Sequence, residues 1–218
     1  MEINEVLHKG EIVYKGQKII SYEMMTMCSE SSFKDDAFNT YNLKQTESLF
    51  SKINDDIYIS GVKQFKILNP LKAFVPIDIK TSSDIMLQTG RVLSIFTDVF
   101  YIMGAEGSVM ERKCQTWDLV KQSFCHLRDL FVVNNWKYCL FNLVRNQIST
   151  LEAEMGMPCF INWKQKIYES FEKDRFYLTS DGIVIYLPQG SIAPDIWGIP
   201  TFLINYRNVD GILKIKCD

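Results

Sequence analysis

WKYCLFNLVRNQISTLEAEMGMP, residues 136–158, is the stretch on which the fold turns. Its apolar residues Trp136, Cys139, Leu140, Leu143, Val144, Ile148, Leu151 and Met155 recur at spacings of three, one, three, one, four, three and four. That is the 3.6-residue period of a helix with one apolar stripe. The helix starts near Asn134 or Asn135, Gly156 suits a left-handed C-cap, and Pro158 prevents continuation.

Downstream, Asn162 and Gln165 predict a capping box opening a shorter helix whose face is Trp163, Ile167 and Phe171. Residues 175–178 and 183–187 then flank Thr179-Ser180-Asp181-Gly182, where Asp-Gly is expected to supply the positive φ of a tight hairpin. Pro188, Pro194 and Pro200 frame a loop before a last strand, Thr201–Tyr206. Upstream, residues 85–130 carry β-branched and aromatic residues such as Val92, Ile95, Phe96 and Val99, predicting a meander of three or four antiparallel strands. Pro70 and Pro76 punctuate an extended stretch around Val75, Ile77 and Ile79, read as an edge strand or irregular arm. Phe38, Tyr41, Leu49, Ile53 and Ile57 predict a first helix over 36–57, and residues 11–27 a hairpin turning through Lys15-Gly16-Gln17-Lys18. The expectation is an α+β fold of antiparallel sheets packed against three helices. It is a single domain over 1–218, with an N-terminal part over about 1–80 and a C-terminal module over about 81–218.

The 218 residues are 47% hydrophobic and 23% charged, with 14 Phe, 10 Tyr and 4 Trp, enough to build a core. Lys plus Arg is 24 against 26 Asp plus Glu, a net charge of -2, so the basic excess of a nucleic-acid binder is missing. Glu2, Glu5, Lys9, Glu11 and Lys15 interrupt any export signal, and no apolar run reaches the roughly 20 residues of a membrane span. Six cysteines without C-x-x-C spacing read as reduced thiols. The expectation is a soluble, cytoplasmic protein, or an extracellular one if the natural chain begins upstream of Met1.

Reactive chemistry finds little support. There are two histidines, His8 and His126, with no H-E-x-x-H, nucleophile elbow or phosphate-binding glycine loop. No metal and no cofactor is implied, and His126 reads as a surface or strand-face histidine rather than a catalytic one. Paired carboxylates for glycoside chemistry remain as a rival: Glu106, between Ala105 and Gly107, acting with Asp118 or Asp129. The plainer reading of Glu106 is a solvated turn residue. Met24, Met25 and Met27 read as gap-filling core rather than a partner patch. Trp197, on the proline-framed loop, is a candidate binding anchor, with packing onto the sheet as its alternative.

Three stretches carry a family resemblance. Tyr101-Ile102-Met103-Gly104-Ala105-Glu106-Gly107 resembles a Y-x-G-G-A-H-G pattern and is followed by Thr116-Trp117-Asp118-Leu119 and Leu127-Arg128-Asp129-Leu130-Phe131. Residues 176–186, continuing through Ile192-Ala193-Pro194 and Gly198 to Ile204-Asn205-Tyr206, resemble a characteristic C-terminal module, and Phe38-Asn39-Thr40-Tyr41 a short helix-opening pattern. Together they are similar to the bacterial domain found in the lysozyme-sensing anti-sigma factor RsiV and beside the peptidoglycan deacetylase PdaC, in a short unanchored version as in Firmicutes. Met103 and Glu106 stand where the pattern has Gly and His, and Lys121-Gln122 where a Thr-Gly turn is usual. The resemblance implies a non-catalytic binding or sensing module, not an enzyme, related to the cell envelope. Its partner would be a protein or a peptidoglycan fragment, not nucleic acid, with Tyr101, Gly104, Glu106, Gly107 and Trp197 as binding residues. A glycan hydrolase and a homo-oligomeric structural protein are the alternatives, and the oligomeric state is left open.

Overall fold

The computed structural model describes residues 2–30, 37–104 and 107–214. In chain order the strands and helices are β1 (Ile3–Tyr14), β2 (Gln17–Ser29), α1 (Ala37–Lys52), α2 (Tyr58–Leu68), β3 (Ile77–Gln88), β4 (Val92–Ile102), β5 (Ser108–Asp118), β6 (Ser123–Phe124), α3 (Trp136–Met155), α4 (Trp163–Glu172), β7 (Phe176–Leu178), β8 (Gly182–Tyr186) and β9 (Thr201–Asn205). A π-helical turn, Ile53–Ile57, joins α1 to α2 without leaving helical backbone, so these count as one long helix beside α3 and α4. The α+β class with three helices is what the structure has. Strand order is β1-β2-β3-β4-β5-β6 in one sheet and β7-β8-β9 in the other.

The larger sheet is mixed, not antiparallel throughout. β2 and β3 run parallel, with Ile20 opposite Ile77 and Glu23 opposite Lys80. A parallel pair needs a long crossover, and the helical run from 37 to 68 supplies it. The stretch expected as an edge or irregular arm is therefore the start of an interior strand. Pro76 precedes the first paired residue, Ile77, so its missing N–H costs the ladder nothing. The first helix continues to Leu68 because the π turn re-phases its apolar face after Ile53.

The chain forms two compact units, Met1–Ser83 with Asp98–Val109, and Asp84–Thr97 with Met110–Asp218, and passes from one to the other inside β3, β4 and β5. In the first unit α1 and α2 cover β2, β3 and β4 around Ile19, Ile20, Met24, Leu49, Ile53, Ile77, Ile79 and Val99. Ile19 and Ile20 are both fully buried although adjacent in a strand. The ladder slips there, Val13 facing Lys18 and Ile12 facing Ile20, and the bulge turns both side chains inward. Gly61 lets α2 close on β2, since a Cβ would sit 2.6 Å from Ile19 Cγ2. Met24 and Met27 are buried in the core, as expected, whereas Met25 is only half-buried. Asn39 Oδ1 accepts from Ser29 N at 2.7 Å while its Nδ2 donates to Ser29 O at 3.0 Å, pinning the end of β2 to the first turn of α1.

In the second unit Trp136, Leu140, Val144 and Ile148 form the centre of the α3 stripe, fully buried or nearly so, against α4 and the inner faces of β7, β8 and β9. Each such aliphatic side chain contributes roughly 1.5 to 3 kcal/mol by leaving water. Cys139, Leu143 and Leu151 flank the stripe half-buried, and Met155 is exposed. Gly156 adopts the predicted left-handed cap, φ 66°.

Two local expectations are corrected. Asn162 makes no side-chain cap bond: with its backbone at φ −90° and ψ 10°, its own carbonyl takes the Gln165 N–H at 3.1 Å, and Gln165 Nε2 turns along the helix to Glu169 Oε1 at 3.0 Å. The hairpin at 179–182 does not use positive φ at Asp181 or Gly182. It is closed by Thr179, whose Oγ1 accepts from the N–H groups of Asp181 and Gly182 at 3.2 Å each. Gly182 is required for another reason: a Cβ there would collide with the Ile204 carbonyl of the paired strand. Two consecutive left-handed residues instead form the turn at Lys15-Gly16, φ 49° and 77°, matching the twist of the β1–β2 ribbon.

Candidate recognition surface

The loop between β8 and β9 is cross-braced from within. Leu187 N donates to Pro200 O at 3.0 Å, closing its base, and Ser191 Oγ donates to Pro188 O at 2.6 Å. Gln189 Nε2 donates to Asp195 O at 3.0 Å while its Oε1 accepts from Met110 N at 2.6 Å, tying the loop to β5. Gly190 and Gly198 take the left-handed φ values that the reversals need, 70° and 68°. Ile192 and Ala193 are buried, and Trp197 is half-buried against the same core. Trp197 thus realises the packing alternative in part: it anchors the loop and leaves an edge to solvent.

A second loop, between α3 and α4, is joined to the first by Phe160 N donating to Ile192 O at 2.7 Å. Met157 roots it in the core. On these two braced loops Ile161 is fully exposed, Ile196 is 91% exposed and Phe160 is 40% exposed. Sequence reasoning missed all three. One signal was available for Ile161, which immediately precedes the helix-capping position of α4. An apolar residue there normally staples onto the fourth helical residue, but that residue is Lys166, so Ile161 has no apolar partner to fold onto.

The resemblance-derived residues Tyr101, Gly104 and Gly107 lie in the other unit. Tyr101 is buried, its hydroxyl accepting from Lys52 Nζ at 3.1 Å, with the ammonium 4.6 Å from the ring centre. Gly104 and Gly107 both have positive φ, 58° and 93°, in a turn closed by Met103 N donating to Gly107 O at 2.9 Å. A Cβ on Gly104 would press on Val75 at 2.9 Å. These residues build the turn between β4 and β5. Glu106 lies outside the described residues.

The other carboxylates weighed for catalysis have structural work. Asp118 is nearly buried and its Oδ1 accepts from Val120 N at 3.1 Å and Lys121 N at 3.0 Å. Its Oδ2 makes no directional hydrogen bond but lies 3.3 Å from Lys121 Nζ and 3.9 Å from an Arg91 guanidinium nitrogen. Burial pushes the Asp118 carboxyl up, but the Lys121 N–H and ammonium and the Val120 N–H outweigh it and hold it below the usual range. A general acid needs the opposite shift. Asp129 Oδ2 accepts from His126 N at 3.1 Å, capping the 3₁₀ turn Leu127–Leu130. His126 is exposed, as the surface alternative had it, and it starts that turn rather than lying on a strand face. Its Nδ1 lies 2.7 Å from Asp174 Oδ2, while Asp174 Oδ1 accepts from Leu127 N at 2.8 Å. Both oxygens of Asp174 are therefore used in holding the turn to the end of α4. In Leu127-Arg128-Asp129-Leu130-Phe131 the three apolar residues are buried core.

Among the described residues no three His, Cys, Asp or Glu side chains are grouped to hold a metal ion. Among them also no helix is long and apolar enough to cross a membrane.

Residues 128–207 match the family described as a protein of unknown function, DUF3298. That span runs from the 3₁₀ turn through α3, α4 and β7–β9, and holds both exposed loops. No curated protein matches the chain. Among solved structures, it is similar to a member of the DUF3298 family from Bacteroides fragilis NCTC 9343, with 16% identity and a TM-score of 0.65 over 98% of this chain and 94% of that one. It is also similar to a DUF3298 family protein from Pseudomonas aeruginosa PAO1, with 14% identity and a TM-score of 0.60 over 98% and 94%. At these identities the likeness is one of fold.

Proposed function

We propose that this chain is a non-catalytic recognition module of the RsiV/PdaC kind, and that it docks a folded protein on the loops 157–162 and 188–200. The observation that carries the reading is the pair of exposed isoleucines, Ile161 and Ile196, on loops too well braced to tuck them away. Leaving a large aliphatic side chain in water forgoes roughly 1.5 to 3 kcal/mol, a cost that burial against a partner recovers. Rigid loops also lose little conformational freedom on docking. Aliphatic knobs suit a protein surface better than a sugar, which asks for flat aromatic faces and hydrogen-bonding groups. The committed state of Asp118 and Asp129 supports a binding role over glycan hydrolysis.

The resemblance to a lysozyme-sensing domain makes lysozyme the first probe and soluble muropeptides the second. Calorimetric titration of the chain with each is expected to show binding to lysozyme. Ile196→Asp should weaken it by about 1 to 3 kcal/mol, or five- to 150-fold, with the melting temperature unchanged. Binding of muropeptides with none to lysozyme would replace the protein partner with a glycan, and cleavage of glycan bonds by the chain would overturn the non-catalytic reading.

A further inference from the structure

β1 is the first strand of the six-stranded sheet and, among the described residues, pairs with β2 along one side only. Tyr14 and Gln17 flank the two-residue turn, so Tyr14 directs its backbone groups at β2. The bulge residue is on β2, so β1 alternates without interruption, and the N–H and C=O groups of Leu7, Lys9, Glu11 and Val13 point away from the sheet. Their side chains share the solvent face, Leu7 being 50% and Val13 57% exposed. Nine or so residues of open backbone with exposed aliphatics would be an aggregation hazard, and charges usually guard such an edge.

Here the charges are complementary to themselves. Two copies of β1 joined across a two-fold axis perpendicular to the sheet keep each face on its own side, so only residues of like facing stand opposite. Centred on Lys9 or Glu11, such a pair opposes like charges at the axis; centred on His8, it opposes Glu5 with Glu11; centred on Leu7, it pairs Lys9 with Glu5 but sets Glu11 against Ile3 and leaves Val13 with no strand residue opposite. Centred on Gly10, it places Lys9 opposite Glu11, Leu7 opposite Val13, His8 opposite Ile12 and Val6 opposite Tyr14, and brings Glu5 to the turn bearing Lys15. Gly10 puts no side chain on the axis, and the Tyr22 phenol covers it from within the chain. Lys9 already pairs with Glu23 at 3.3 Å and Glu11 with Lys18 at 2.9 Å. The joined ribbons would therefore carry one row of alternating charge, Glu23, Lys9, then Glu11 and Lys18 of the second copy.

We propose that β1 pairs antiparallel with β1 of a second copy about Gly10, extending the sheet across a two-fold axis. This pairing uses none of the residues of the loops 157–162 and 188–200, and stands or falls apart from them. One pair of edge strands makes a small, weak interface, expected to be populated as the chain approaches about 0.5 mM. Sedimentation equilibrium over that range should show the wild type rising from 25.4 kDa toward twice that mass. Lys9→Glu alone and Glu11→Lys alone each oppose like charges twice, and should associate at least tenfold more weakly. Mixed in equal amounts, the two variants restore opposite charges at both places and should dimerise with each other; that recovery also shows that both are folded. A wild type that stays monomeric throughout, a Glu11→Lys variant that associates as the wild type does, or a mixture that fails to recover would each overturn the pairing.

Discussion

Asp118 and Gln122 show how single residues hold the turn between β5 and β6. Because the folded Asp118 carboxyl lies below its ordinary value, it adds stability that is complete above the unfolded pKa of about 4 and is lost as pH falls through the lower folded value. Asp118→Asn should therefore cost on the order of 1 to 3 kcal/mol near neutral pH, with the gap closing below about pH 4, as read by urea titrations at several pH values. Gln122 takes a left-handed φ of 53° where the resembling family has glycine. Gln122→Gly relieves a steric cost of about 1 to 2 kcal/mol but loosens the unfolded chain, leaving an expected gain of up to about 1 kcal/mol by denaturant midpoint. The turn was legible as a departure from a pattern; its strain was not, since φ follows from closure of the hairpin.

At the scale of elements, what the sequence shows depends on how local the cause is. The α3 stripe was readable because a period of 3.6 is written in consecutive residues, and its cap at Gly156 stands one position past the last turn. The parallel pairing of β2 with β3 was not, because the partners are 57 residues apart and Pro76 argued for an edge. Within α3 the stripe is graded: Leu140 is fully buried and Leu143 half-buried. Leu140→Ala should cost about 2 to 5 kcal/mol by transfer and cavity terms, and Leu143→Ala distinctly less. Equal losses in thermal or urea unfolding would mean that the helix face is rotated from where it is placed here.

For the molecule as a whole, motifs offered no nucleophile elbow or phosphate loop and left paired carboxylates as a rival, but they could not reveal a docking surface, because exposure depends on what packs nearby. Trp197 was legible as an aromatic on a proline-framed loop, whereas Ile196 and Ile161 look like any core residue until their loops are braced outward. The five described cysteines, Cys28, Cys114, Cys125, Cys139 and Cys159, are free thiols. Burial, then the Glu152 carboxylate, push the Cys159 thiol up to about 11, so it should alkylate slowly in the folded protein at pH 8. Titration of the denatured, unreduced protein is expected to find six thiols, fitting the cytoplasmic reading; two or more disulfides would place the protein outside the cell. The recognition proposal is met most directly by amide hydrogen exchange of the chain with and without saturating lysozyme. Protection concentrated in residues 157–162 and 188–200, and abolished by Ile196→Asp, is the result expected; protection confined to other segments, or none at saturation, would contradict it.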